Sequence, residues 1–156
     1  MQQIDTKAGT ANYETKGNSE NPTLVLFHTL LADCSVYDGI IDELARKFCV
    51  TRFHFPGYGA STGLCNSIDD YADWTAELFY TLDISKNGSK PVSVFSNGFG
   101  GFVSLGLCLR HAELVSHLVI SNSGGAFPEE RKAPLLGMAE KVRTAGINAV
   151  LDIAMS

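Results

Sequence analysis

Val92-Ser93-Val94-Phe95-Ser96-Asn97-Gly98-Phe99-Gly100-Gly101 is the stretch on which the reading of this chain turns. Pro91 to Phe95 has the length and β-branched content of a strand, and a glycine-rich corner follows it. From Phe99 to His111 the spacing is helical and apolar on nearly every side, which predicts a buried helix. A strand feeding a buried helix through a sharp turn is half of a parallel crossover unit.

The same alternation extends outward. Upstream, Thr23 to His28 is a continuous apolar run, as expected of a strand covered on both faces. Ser35, with Asp38 three residues on, is predicted to cap a helix reaching Phe48. Cys49 to Phe55 reads as the next strand, stopped by Pro56-Gly57-Tyr58-Gly59. Ser67 and Asp70 repeat the capping signature ahead of Tyr71, Trp74, Leu78 and Leu82 at helical spacing. Downstream, Val115 to Ser121 is a further strand, and the pattern is helical from Pro128 onward, with Met138, Val142, Ile147, Val150, Leu151 and Ile153 available for burial. At the amino end, Gln2 to Thr6 and Thr10 to Thr15 read as a hairpin about Gly9. The fold class is therefore α/β, a doubly wound and mostly parallel sheet. Its six strands lie in a core over residues 1–127, and a helical segment occupies 128–156. In such sheets chemistry gathers at the carboxyl ends of the strands, here residues 28–35, 55–63, 96–100 and 121–127.

Composition narrows the function. The chain has 156 residues, one domain's worth, with 45% apolar and 19% charged residues, ordinary for a packed core. Its net charge of −5 and the lack of a basic run argue against nucleic acid and against an anionic membrane surface. No apolar stretch approaches the roughly 20 residues needed to span a bilayer, and the polar amino terminus has no secretory h-region. A soluble, cytoplasmic protein is expected. The four cysteines, Cys34, Cys49, Cys65 and Cys108, form no CxxC pair and read as free thiols, so no metal site and no cofactor is expected. Asp69, Asp70 and Asp73 read as first-turn acids favouring a helix dipole. A dinucleotide motif at Gly98-Phe99-Gly100 fails, because Val103 stands where its third glycine belongs.

Four blocks, in this order, resemble the α/β-hydrolase superfamily: Leu24 to Leu31, Arg52 to Ser61, Val92 to Gly101 and Leu114 to Asn122. They occupy the places of the strand leading to the oxyanion loop, the D-x-P-G-x-G-x-S turn, the nucleophile elbow and the strand after it. The likeness spans essentially the whole chain and is similar in detail to 3-oxoadipate enol-lactonases and C–C bond hydrolases. It implies an ester, lactone or C–C bond hydrolase acting on a small molecule through a Ser-His-acid site. It also implies that residues 128–156 begin a lid or cap, or cover the sheet edge.

The departures from the family decide the chemistry. In the elbow motif G-x-S-x-G the central serine is the nucleophile. Here Ser96 takes the first glycine position and Gly98 the nucleophile position, which therefore has no side chain. Ser96 is the alternative nucleophile, but two strand residues are about 6–7 Å, too far to share the same oxyanion hole. By resemblance the oxyanion-hole amides are those of Leu30 and Phe99, and His28 and Thr29 lie where substrate would be contacted. The family's turn aspartate is replaced by His54. No residue up to Ser156 matches the triad acid or histidine. A chain without a working triad is expected, and the alternative is a non-catalytic binding or scaffold protein on the hydrolase fold. An apolar, unpaired outer edge at 115–121 further predicts self-association.

Overall fold

The polypeptide opens with an antiparallel hairpin of β1 (Gln2–Thr6) and β2 (Gly9–Lys16). There follow β3 (Thr23–Phe27), α1 (Ile41–Ala45), β4 (Cys49–Phe53), α2 (Ile68–Thr81), β5 (Val92–Asn97), α3 (Phe99–Arg110), β6 (Val115–Ser121) and α4 (Glu129–Ala145). This computed structural model describes residues 1–85, 90–126 and 129–150. Its single six-stranded sheet has the order β1-β2-β4-β3-β5-β6. β4, β3, β5 and β6 run parallel, and β2 joins β4 antiparallel.

Strand parity separates two apolar layers. Val25 and Phe27 face one side, where they pack with Phe53, Phe55, Trp74, Leu78, Phe79, Val103 and Leu107. Leu26 faces the other, with Val50, Tyr37 and Ile41. Phe27 is the hub of the larger layer, its ring 5.4 Å from Phe53, 5.6 Å from Phe55 and 6.4 Å from Phe79, all edge-on. The helices after β3 and β4 thus cover opposite faces. The chain reverses its direction of travel across the sheet at β3, which opens a crevice at the carboxyl ends of β3 and β5.

The cap predicted at Ser67 forms as a closed box: Ser67 Oγ accepts from the Asp70 amide, and the Asp70 carboxylate accepts from the Ser67 amide, both at 3.1 Å. Asp73 has a different employment from the dipole role expected of it. It holds the end of α3, taking Arg110 Nε and Nη2 at 2.8 and 2.6 Å and His111 Nε2 at 2.7 Å. These partners, Arg110 first, pull its carboxyl down to about 2.

The single helix expected from Ser35 to Phe48 does not form. Asp33, not Ser35, caps a 3-10 turn over Cys34–Tyr37, and a break precedes α1. The reason is competition for Asp38: its carboxylate bonds the buried Arg52 guanidinium at 2.5 Å instead of a helix amide. Gly39 follows, a poor helix residue. Tyr37 then donates its phenol to the Phe27 carbonyl at 2.8 Å, pinning the turn to the end of β3. β4 stops at Phe53 rather than Phe55, and β5 continues past Phe95 to Asn97, carrying Ser96 into the ladder opposite Phe27 and Ile120.

The chain divides by internal contacts into Met1–Gly124 and Gly125–Ser156. The second unit holds α4, edged by the ion pairs Lys132–Glu129 and Arg143–Glu140. The boundary expected at 127/128, with Pro128, Leu151 and Ile153, lies outside the described residues. β6 is the sheet's outer strand and leaves Val119 57% exposed. Among the described residues no helix is long and apolar enough to cross a membrane.

Candidate functional site

The corner between β5 and α3 is held by three backbone bonds. Gly98 N donates to the Ser121 carbonyl at 3.0 Å, Gly100 N to the His28 carbonyl at 3.1 Å, and Gly101 N to the Gly98 carbonyl at 3.0 Å. Gly98 stands at φ +54°, ψ −116°, a conformation that L side chains rarely adopt. The helix start approaches the neighbouring strands so closely that a Cβ on Gly100 would lie 2.7 Å from both the His28 carbonyl oxygen and Phe27 Cβ. One on Gly101 would lie 2.5 Å from Ser123 Cβ. The corner therefore forms, with the small residues it needs, and it carries no side chain at residue 98.

Ser96 lies beneath it. Its side chain is fully buried, with Oγ 3.0 Å from Ser104 Oγ and 3.2 Å from the Val119 carbonyl. Ser104 in turn donates to the Gly101 carbonyl at 2.9 Å, so the Ser96 proton points to Ser104 or Val119, into the β5–α3 contact and away from the crevice. No imidazole is bonded to it among the described residues.

The other wall is the segment after β3. His28 is fully buried, and both ring nitrogens are engaged: Nδ1 is 2.9 Å from the Thr29 carbonyl, and Nε2 is 3.2 Å from the Phe55 amide. A carbonyl can only accept and an amide only donate, so the proton is on Nδ1. Burial, partly opposed by the Thr29 carbonyl, pulls the imidazole down to about 4. His28 is thus a neutral strut joining β3 to the turn after β4, and neither nitrogen is open to a ligand in this structure. Thr29 is half-buried, and Leu30 is 48% exposed. Among the described residues the Thr29 hydroxyl and the Leu30 and Phe99 amides have no protein partner.

His54 serves the turn as a side-chain acceptor. Its Nδ1 accepts from the Ala60 amide at 3.2 Å, and its carbonyl takes the Ser61 hydroxyl at 2.8 Å. Its Nε2 faces Asp33 at 3.9 Å. Burial again lowers the imidazole, with Asp33 opposing. Beside this turn three partly buried rings pack against the larger apolar layer: Tyr58 stacks on Phe99 at 6.1 Å, and Tyr71 meets Phe99 edge-on at 5.0 Å. Burial holds the Tyr58 phenol neutral, pushed up to about 12.

The structure thus brings Gly98, Phe99 and Thr29 together at one corner with Leu30 on the adjoining loop, while Ser96 and His28 sit below it with their polar atoms spent. Two features escaped the sequence reading. Ser104, which closes the bond network of Ser96, lies on a helix face that periodicity marks only as buried. Asn97 Oδ1 and Ser123 Oγ, beside the corner, are buried without a partner among the described residues, and nothing in their local sequence signals this. Among the described residues no three His, Cys, Asp or Glu side chains converge as a metal site would require.

Comparison with known proteins bears on the family and the fold. The profile of the alpha/beta hydrolase fold family matches residues 22–147. The chain is 26% identical over 115 residues to the (E)-2-((N-methylformamido)methylene)succinate hydrolase of Acinetobacter baylyi, covering 72% of this chain and 41% of that protein. It is 29% identical over 132 residues to the pimeloyl-[acyl-carrier protein] methyl ester esterase of Nitrosomonas europaea, covering 84% and 48%. Among solved structures, the enol-lactonase of Burkholderia xenovorans superposes with a TM-score of 0.88 at 22% identity, covering 99% of this chain and 58% of that one, a likeness of fold. The chain spans less than half the length of these two curated relatives.

Proposed function

The chain belongs to the alpha/beta hydrolase fold family, and from that premise we propose that its elbow is a corner for binding rather than a seat of serine-hydrolase turnover. Gly98 carries this reading. Acyl transfer by the family's route begins with a hydroxyl at the corner attacking a carbonyl carbon and passing its proton to a base. Glycine offers no atom to attack with. Ser96 is no substitute, since its hydroxyl is shut between β5 and α3.

What the corner retains are backbone donors. The Leu30 and Phe99 amides do not depend on side-chain identity, and both are without a protein acceptor among the described residues. Two such donors suit a carbonyl or carboxylate oxygen. The aromatic patch of Tyr58, Phe99 and Tyr71 suits an apolar body beside it. The names of the relatives, a succinate-derivative hydrolase, a methyl ester esterase and an enol-lactonase, support ester, lactone or carboxylic acid ligands.

Two measurements test the proposal together. Incubation with a fluorophosphonate probe and with p-nitrophenyl butyrate should give neither a covalent adduct nor a burst of nitrophenol. Titration with butyrate should shift the Phe99 and Leu30 amide resonances. Stoichiometric labelling, or ester turnover that survives repurification, would overturn it, and so would silence of both amides.

A further inference from the structure

The loss of the elbow side chain has a steric counterpart. β3 and β5 are parallel neighbours with Phe27 opposite Ser96. Two residues further along each strand direction are Thr29 and Gly98, which therefore meet across the corner. A Cβ built on Gly98 would lie 2.1 Å from Thr29 Oγ1 and 3.1 Å from Thr29 Cβ. Ordinary contact begins at about 3.4 Å, so the hydroxyl stands in the space of the first atom of any residue-98 side chain.

We propose that Thr29 and Gly98 are a matched pair, in which Thr29 fills the nucleophile's volume and fixes residue 98 as glycine. Thr29 then sets the steric cost of a nucleophile at this corner, and a serine returned to position 98 alone fits only if the Thr29 side chain shifts. The inference rests on the reading of this corner as the family's elbow.

Thr29 has little room to yield. Its carbonyl accepts from His28 Nδ1, and the adjacent His28 carbonyl accepts from Gly100 N, so the loop backbone is tied at two successive residues. Rotation of a β-branched side chain exchanges the hydroxyl for the methyl in one direction and for the hydrogen in the other. Only the last relieves the overlap, and it leaves Thr29 Cβ still tight against the new atom. Residue 98 also has positive φ, a strain common to every non-glycine residue there and independent of Thr29. The two contributions separate in a double-mutant cycle.

The test compares thermal midpoints of wild type, Gly98→Ser, Thr29→Ala and the double variant, with Thr29→Val as a second background. Gly98→Ser should lower the midpoint in the wild-type and Thr29→Val backgrounds alike, because valine keeps the branched shape without the hydroxyl. In the Thr29→Ala background the drop should be smaller by more than about 3 °C, roughly the effect of 1 kcal/mol at this chain length. Equal drops in all three backgrounds overturn the proposal. Relief by Thr29→Val as great as by Thr29→Ala overturns it too, since the hydroxyl rather than its volume would then be at issue. If Gly98→Ser does not fold, recovery of folded protein in Gly98→Ser/Thr29→Ala supports the pairing and failure of both refutes it. The cycle does not depend on turnover: fluorophosphonate labelling of wild type would overturn the functional reading while leaving the cycle's result standing.

Discussion

Lowering the pH from 8 to 5 should destabilise this protein through His28 before its acids titrate. The folded imidazole is held at about 4 against 6.5 for a free one, principally by burial. The unfolded chain therefore binds a proton that the folded chain refuses, and stability falls as pH drops through the window from 6.5 to about 4. A separation of 2.5 units sets a limit of about 3.4 kcal/mol, of which roughly 2 kcal/mol is lost by pH 5. The side chain is fully buried, so solvent screening does not reduce the figure. His54, also lowered by burial, adds in the same direction. The lowered acids Asp33 and Asp73 act below the ordinary carboxylate range, so they do not contribute in this upper part of the window. Urea unfolding at pH 8, 6.5 and 5 measures the slope, and imidazole resonances give the His28 midpoint directly. A His28→Gln protein, less stable at pH 8, should show a flatter dependence between pH 6.5 and 5. Wild-type stability constant within about 0.5 kcal/mol from pH 8 to 5, or a His28 midpoint near 6.5, would refute the strut assignment.

Ser96→Ala should lower stability by only about 1 kcal/mol, since Ser104 keeps its bond to Gly101, and should leave ligand-induced amide shifts intact; a loss of reactivity toward a fluorophosphonate on this change would instead mark Ser96 as a nucleophile. The outer strand β6 should drive association with a second copy of the chain, so the sedimentation-average mass of wild type should rise with concentration and that of Val119→Lys should rise less; a monodisperse wild-type monomer at high concentration would contradict this.

What the sequence made legible follows from where its signals are local. The run from Thr23 to Phe27 reads as a buried strand because both faces are apolar, and the two layers it separates are those that parity assigns. Ser67 and Asp70 read as a cap because both partners of the box lie within three residues. The same signature at Ser35 and Asp38 misleads for a tertiary reason: Arg52, fourteen residues on, claims the carboxylate, and no local pattern shows that. Asp73 is the mirror case, an acid in a helix that looks like dipole decoration until Arg110 and His111 arrive from another helix. The exchange of glycine and serine at 96 and 98 was visible outright. Its consequence was not, because the contact between Thr29 and Gly98 needs the parallel register of β3 against β5.

That register also explains why the corner survives without its side chain. The elbow is built from glycines that let α3 start against the His28 carbonyl, from backbone bonds to Ser121 and His28, and from a neutral imidazole bracing the two loops. None of these elements uses a hydroxyl at residue 98. Glycine there avoids the strain that positive φ imposes on any other residue, about 1–3 kcal/mol, so glycine at residue 98 stabilises the turn. The Thr29 hydroxyl stands where the first side-chain atom of residue 98 would lie. On the proposed pairing, a serine at residue 98 is best accommodated together with a smaller residue at position 29. The Leu30 and Phe99 amides do not depend on the side chain of residue 98, which is why the binding proposed for this corner needs no hydroxyl there.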